Sequence, residues 1–269
     1  MRFEGSDDYI ADEDLLADVN AAIALEKPLL VRGEPGTGKT MLAKSIAKEL
    51  GKRLVTWHVK STTQAKEGLY AYDVVQRLND SRFGGGDVAN IENYIKLGPL
   101  GDAFTSEEQV VLLIDEIDKA DIEFPNDLLR ELDEMAFYVP ELDRTIQAKK
   151  RPIVIITSNA EKELPDAFLR RCLFHYIAFP TPERMKEIVA AHFDNLDIEL
   201  VEAAIARFYR FRAVNGLRKK PSSSELLDWL SVLVRMGAKI EDISNRVPYL
   251  GTLIKREQDI DLLSNRRRY

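Results

Sequence analysis

The stretch at residues 33–40 carries the strongest chemical signal in the chain, because it reads G-x-x-x-x-G-K-T. This spacing is typical of a phosphate-binding loop, in which glycines let backbone N–H groups approach a phosphate closely. Lys39 is expected to reach the β- and γ-phosphates of a nucleotide, and the Thr40 hydroxyl is expected to ligate Mg²⁺. The pattern predicts a nucleotide site that is built from the following residues: Gly33, Glu34, Pro35, Gly36, Thr37, Gly38, Lys39 and Thr40.

The segments on both sides of this loop support the interpretation. A short apolar run at residues 29–31 predicts a buried strand, and apolar residues at helical spacing over residues 41–50 predict a helix. The N-terminus of that helix would add its dipole to the loop, which favours a bound anion. A further helix is predicted to begin near Asp12, whose side chain can cap it.

Two adjacent carboxylates, Asp115 and Glu116, follow the uninterrupted apolar run at residues 110–114. Such a run predicts a strand buried on both faces of a parallel sheet, and ligands bind at the carboxyl ends of such strands. We expect Asp115 to hold Mg²⁺, through water, and Glu116 to orient and polarise the attacking water.

Two later segments, a predicted strand and a predicted short helix, end in polar or basic residues. Asn159 ends a predicted strand at residues 152–159, where its amide can hold the γ-phosphate or the attacking water. Arg170 and Arg171 end a predicted short helix at residues 164–171. A guanidinium there either complements the helix dipole or acts as an arginine finger, which reaches the γ-phosphate of a neighbouring subunit.

Strand and helix patterns alternate up to a Pro-Thr-Pro boundary at residues 180–182, and only helical patterns follow. The fold class is therefore predicted to be α/β, a P-loop parallel sheet with flanking helices over residues 1–180. An all-helical domain and tail are predicted over residues 181–269. The interrupted segment at residues 61–108 is either a functional insertion or a surface loop.

Local patterns predict the structure of the connecting segments. Residues 64–79 are predicted to form a helix, and apolar spacing predicts another helix over residues 128–136. Residues 138–150 are predicted to form a turn or hairpin.

Three residues with reactive side chains are expected to have structural roles. His58 is expected to be a satisfied strand side chain, because no second His or Cys stands at metal-ligand spacing. Asp118 is expected to be a solvated or capping acid. Cys172 is expected to be a small apolar residue rather than a catalytic thiol.

Composition narrows the class of protein. The 269 residues carry a net charge of −7, which argues against a general nucleic-acid binder. No apolar run is long enough to span a membrane, and the acidic N-terminal segment does not resemble a signal peptide. The single cysteine excludes an intrachain disulfide, and a cytoplasmic location is predicted.

Taken together, the motifs resemble those of the AAA+ ATPases: GEPGTGKT at residues 33–40, LLIDEID at 112–118, TSN at 157–159 and LPDAFLRRC at 164–172. Within that group the chain is most similar to the MoxR family, in its CoxD-like and CbbQ/NorQ-like branch. The closer similarity is carried by GPLGDAF at residues 98–104, FPNDLLRELDE at 124–134 and PSSSELLDWL at 221–230.

The resemblance implies an α/β nucleotide domain with a small helical lid, and ATP with Mg²⁺ bound between the subunits of a homo-oligomeric ring, usually a hexamer. Asn159 would be the sensor 1 residue and Arg171 the finger, with Arg170 as a second candidate. The family's sensor 2 arginine is missing at residues 222–225, and Arg218 and Lys219 are candidates to replace it.

The family also implies a chaperone that remodels or activates a client protein. The client would be a metalloenzyme during its maturation, and a protein with a von Willebrand factor A domain would assist. A nucleic-acid-dependent motor or loader is the alternative on the same core. A small-molecule phosphotransferase is disfavoured by Asn159 and Arg171, and a non-hydrolysing nucleotide switch is disfavoured by Glu116.

Overall fold

The computed structural model describes residues 2–5, 9–193, 196–245 and 247–266. The chain forms two compact units. One consists of Met1–Gly33 with Gly38–Ile177, and the other consists of Glu34–Thr37 with Ala178–Tyr269. The short segment at residues 34–37 therefore belongs to the second unit, although it interrupts the first one in sequence.

Five parallel strands form the central sheet of the first unit, in the order β2 (Leu54–His58), β5 (Val111–Asp115), β8 (Ile153–Ser158), β1 (Leu29–Gly33) and β9 (Leu173–Ile177). All residues of β5 and β8 are buried, as expected for strands covered by helices on both faces. This sheet confirms the predicted α/β class. The strands of the described part of this unit are β1 (Leu29–Gly33), β2 (Leu54–His58), β3 (Tyr70–Tyr72), β4 (Ile95–Leu97), β5 (Val111–Asp115), β6 (Ala136–Val139), β7 (Arg144–Gln147), β8 (Ile153–Ser158) and β9 (Leu173–Ile177).

Helices cover both faces of the sheet and bury two apolar clusters against it. One cluster includes Val19 and Ile46, and the other includes Phe104, Leu128 and Phe168. The first helix begins as predicted, because Asp12 Oδ1 accepts a hydrogen bond of 2.8 Å from Leu15 N. The helices are α1 (Glu13–Leu25), α2 (Lys39–Glu49), α3 (Ala65–Leu69), α4 (Val74–Phe83), α5 (Pro99–Thr105), α6 (Phe124–Asp127), α7 (Leu129–Glu134) and α8 (Asp166–Leu169).

Two predicted helices are wrong as continuous elements. Residues 64–79 contain α3, β3 and the start of α4, because β3 leaves the helical path to pair antiparallel with β4. The helix predicted over 128–136 ends at Glu134, since Met135 adopts a left-handed backbone and Ala136 starts β6. The hairpin predicted over 138–150 is confirmed, and it is formed by β6 and β7.

The GPLGDAF segment at residues 98–104 has a glycine, Gly101, at a position where a side chain does not fit. A Cβ atom at this position would lie 2.1 Å from the carbonyl oxygen of Leu69. Helix α5 can therefore approach the backbone that leads into β3 only without a side chain at this position.

The second unit is helical in its described part and buries its own core, which includes Phe208, Trp229 and Leu230. A capping box begins α11, because Glu225 Oε2 accepts a hydrogen bond of 2.7 Å from Ser222 N. A helix in the tail reaches Arg266, and residues 267–269 lie outside the described residues. The helices are α9 (Pro182–His192), α10 (Ile198–Arg212), α11 (Ser223–Arg235), α12 (Ile240–Asn245) and α13 (Glu257–Arg266). Across the described ranges of both units, we find no helix with the length and apolar character to cross a membrane.

Candidate nucleotide site

The phosphate-binding motif links the end of β1 at Gly33 to the start of α2 at Lys39. Gly36 and Gly38 have φ angles of +79° and +89°, a backbone region in which residues with a side chain are strained. The buried Lys39 side chain donates a hydrogen bond of 2.9 Å from Nζ to Gly33 O. The helix N-terminus and a cationic side chain therefore lie together at this edge of the sheet, as an anion site requires.

Thr40 and Asp115 come together from distant parts of the first unit. Thr40 Oγ1 donates a hydrogen bond of 3.0 Å to Asp115 Oδ1, and Asp115 is buried at the carboxyl end of β5. His58 Nδ1 lies 3.2 Å from the other carboxylate oxygen, Oδ2. The His58 side chain is 69% exposed, and its contact with Asp115 is consistent with the expected satisfied strand histidine.

The oxygen atoms of Thr40 and Asp115 fit Mg²⁺, which proteins hold through one or two carboxylates together with substrate phosphates. In the described ranges, no group of three or more His, Cys, Asp and Glu side chains could hold a metal ion.

Glu116 is held in an unusual backbone conformation with φ 58° and ψ 52°. Its N–H donates a hydrogen bond of 2.8 Å to Thr157 Oγ1, which fixes the turn. Its Oε1 accepts a hydrogen bond of 2.8 Å from Asn159 Nδ2, and its Oε2 accepts one from Lys119 Nζ. The bond to Glu116 also raises the pKa of Lys119 above its usual value. The structure thus brings Glu116 and Asn159, which we predicted from separate strands, into direct contact.

Thr157 is a site residue that sequence reasoning missed. It is fully buried at the end of β8, and its Oγ1 donates a hydrogen bond of 2.7 Å to Asp115 Oδ1 while accepting from Glu116 N. The sequence signals were the TSN motif at residues 157–159 and its position after an apolar strand, and neither one indicated a role for the Thr157 hydroxyl. The pairing of β5 with β8 places that motif beside the two acids.

Asp118 is buried, so the expectation of a solvated acid is wrong. Its two carboxylate oxygens accept hydrogen bonds from Asn159 N at 3.3 Å and from Glu161 N at 2.8 Å. Asp118 therefore caps the turn that presents Asn159, and the alternative expectation of a capping acid is confirmed.

Thr157→Val is expected to lower the free energy of unfolding by about 1–3 kcal/mol, because it leaves the buried Glu116 N–H without its acceptor. ATP hydrolysis is expected to fall as well, since Asp115 loses a donor. Urea unfolding and ATPase assays would measure both effects. Thr56→Val is a suitable control, since Thr56 lies on β2 and no hydrogen bond of its side chain is found within the described ranges. Wild-type stability in Thr157→Val would contradict the bridging role.

The two candidate finger residues are exposed and differ in their contacts. Arg171 donates from Nε to Asp133 Oδ2 at 2.5 Å and from Nη1 to Ala167 O at 2.8 Å. The Arg170 side chain has no hydrogen bond or ion pair with the described residues. Both line a surface pocket of about 270 Å³, together with Pro28 and Arg151.

The position of the pocket follows from the strand register. Leu29 of β1 pairs with Leu173 of β9, two residues after Arg171, whereas Gly33 at the other end of β1 leads into the phosphate-binding motif. A five-residue strand spans about 16 Å, so the arginines lie at the opposite edge of the sheet from Glu116.

Cys172, next to these arginines, is half-buried. Burial raises the pKa of its thiol to about 12. A thiol with so high a pKa holds almost no thiolate at neutral pH, which argues against nucleophilic chemistry.

Residues 34–37 of the motif make their described contacts within the second unit. Thr37 Oγ1 donates a hydrogen bond of 2.9 Å to Glu34 O, and Ser223 Oγ donates to Gly36 O. A Cβ atom on Gly36 would lie 2.7 Å from Ser222 Cβ, so the close approach of these segments also needs a glycine.

A cation other than the two predicted sensor 2 substitutes contacts this segment. Arg212 Nη2 donates a hydrogen bond of 2.6 Å to Glu34 Oε2. Lys219 Nζ instead pairs with Glu225 at 2.9 Å, and the Arg218 side chain has no hydrogen bond or ion pair with described residues. Arg212 was missed because it ends α10, well before the segment in which the family places its sensor.

A parallel α/β sheet with a glycine loop after one strand and an acidic pair after another defines a P-loop nucleotide-binding domain. Residues 29–181 match the family described as "ATPase family associated with various cellular activities (AAA)". This match covers more than half of the 269 residues, and the chain belongs to the AAA family of ATPases.

Proposed function

We propose that this chain is a MoxR-type AAA+ ATPase that hydrolyses ATP at the interfaces of a homo-oligomeric ring, a hexamer. The observation that carries the proposal is the separation of Glu116 from Arg170 and Arg171 at opposite edges of one sheet. A finger in that position can complete only the site of a neighbouring subunit. The chain supplies both halves of such a shared site.

Each residue of the first unit has a proposed role in hydrolysis. Bound Mg²⁺ would supply charge neutralisation at the phosphates. Lys39 and the helix N-terminus bind phosphate oxygens, while Thr40 and Asp115 present oxygen atoms to the metal. Glu116 accepts a proton from the attacking water, and Asn159 orients the Glu116 carboxylate through their hydrogen bond.

We further propose residues 1–180 as the nucleotide domain and residues 181–269 as the helical lid and tail. The protein would act in the cytoplasm as a chaperone for a client, a maturing metalloenzyme, together with a von Willebrand factor A domain protein.

The insertion at residues 61–108 is the proposed contact surface for a partner, because its helix α4 has no buried residue. The exposed apolar side chains of α4 are Val74, Val75, Leu78 and Phe83.

The ATPase rate per subunit should rise steeply with protein concentration, because a shared site requires assembly. Steady-state assays over a dilution series would measure this, with Lys39→Ala as the control for contaminating ATPase. A flat rate per subunit would contradict shared sites and would favour a self-contained phosphotransferase or switch. A rate raised by added DNA or RNA would favour the motor instead.

A further inference from the structure

Arg212 is a nearly buried cation of the second unit, with a side chain that is only 9% exposed. Its Nη1 donates a hydrogen bond of 2.5 Å to Pro221 O, and its Nη2 donates to Glu34 Oε2. The guanidinium also stacks on Phe179, with Cζ 3.3 Å from the ring centroid. One face and two donors of the guanidinium are therefore fixed by separate groups.

The aromatic platform under Arg212 is itself fixed. Phe179 stacks on Phe208 with ring centroids 6.1 Å apart, and it meets Tyr209 edge-on at 6.3 Å. The Tyr209 hydroxyl donates a hydrogen bond to Pro180 O. These three aromatic rings, the aromatic platform, fix the orientation of the Arg212 guanidinium. In that orientation Nη2 points at the Glu34 carboxylate.

Glu34 is the second residue of the phosphate-binding motif, and its carbonyl oxygen accepts the Thr37 hydroxyl. The Gly36 carbonyl oxygen is held in turn by Ser223. The middle of the motif is thus restrained at three points, by Arg212, Thr37 and Ser223. The strongest of these restraints in chemical terms is the half-buried ion pair between Arg212 and Glu34, because both partners are charged.

We propose that Arg212 is a positioning residue for ATP binding, which holds Glu34 so that the backbone of residues 34–37 is preset for the phosphates. A loop that is already ordered loses less conformational entropy when ligand binds, so the affinity is higher. Lysine cannot replace this arginine, because it lacks the planar fork that bonds Glu34 and Pro221 while stacking on an aromatic ring. The proposal rests on ATP binding at this loop, which the proposed function also requires.

The test is a titration of each variant with a fluorescent ATP analogue and Mg²⁺, together with steady-state ATPase kinetics. Arg212→Lys and Glu34→Gln are each expected to weaken binding by about tenfold. The KM for ATP should rise by a similar factor with little change in kcat, since Glu116 and Asn159 are untouched. The double variant should bind no more weakly than either single variant, because both changes remove one interaction.

Arg210→Lys is the matched control, since Arg210 lies in the same helix with an exposed side chain. Glu34→Gln tests the same ion pair with little risk of a folding defect. The Glu34 side chain is 43% exposed, and glutamine has nearly the same shape as glutamate. Wild-type affinity in both single variants would overturn the proposal, and so would additive losses of about a hundredfold in the double variant. A flat ATPase rate per subunit would contradict the proposed ring but would leave the effect of Arg212 and Glu34 on ATP affinity unchanged. Failure of the proposed function and failure of the Arg212 proposal are therefore distinguishable.

Discussion

Glu116→Gln should lower the ATPase rate by about 10²–10⁴-fold, the range that general base catalysis contributes. The amide cannot accept a proton from water, whereas its carbonyl oxygen can still accept the hydrogen bond from Asn159 Nδ2. ATP affinity should be unchanged, because Lys39, Thr40 and Asp115 remain. Phosphate release and binding of a fluorescent ATP analogue would measure the two quantities separately.

The fold should survive this substitution. The ion pair between Glu116 and Lys119 is solvent-accessible, with side chains 34% and 41% exposed, so its loss costs about 0–1 kcal/mol. Glu163→Gln is the matched control, because Glu163 is exposed and forms no ion pair within the described ranges. Hydrolysis at the wild-type rate in Glu116→Gln would remove Glu116 from the mechanism.

Arg171→Ala should lower the ATPase rate by about 10³–10⁵-fold if Arg171 is the finger, since a finger stabilises the charge that develops on the transferred phosphoryl group. Mixing Arg171→Ala with Glu116→Gln should restore part of the activity. Some interfaces of a mixed ring would pair an intact Glu116 from one subunit with an intact Arg171 from its neighbour. The rate of the mixture, compared with that of each variant alone, is the measurement.

The same measurements on Arg170→Ala decide whether Arg170 or Arg171 is the arginine finger. The exposed pair of Arg171 with Asp133 contributes about 0–1 kcal/mol to stability, so unfolding would not explain a large loss of rate. Arg130→Ala is the control, because Arg130 is exposed and, among the described residues, its side chain pairs only with Glu134 one helix turn away. Full loss in both finger variants without rescue on mixing would mean that the site is complete within one chain.

Much of the site was predictable, because its signals are local in sequence. The glycine spacing of residues 33–40 reflects the backbone angles that a phosphate loop needs, and the structure has these angles at Gly36 and Gly38. The apolar runs before Asp115 and Asn159 indicated strands buried on both faces, which β5 and β8 are. Strands of that kind must end at the same edge of a parallel sheet, so the acids and the amide were expected near each other.

Contacts between distant segments were not predictable. The TSN motif does not indicate what the Thr157 hydroxyl contacts, and only the pairing of β5 with β8 puts this hydroxyl between Asp115 and Glu116. Arg212 looks like an ordinary basic residue at a helix end. Its contact with Glu34 depends on the aromatic platform under it.

The sequence by itself determined the fold class and the AAA motifs, because backbone angles and strand burial leave local patterns. It also predicted the residues of the candidate nucleotide site. The tertiary structure decided which predicted elements were broken, as at β3, where pairing with β4 overrides the helical pattern. It also decided which polar groups bond to each other, because a hydrogen bond depends on distances of a few tenths of an ångström between residues far apart in sequence.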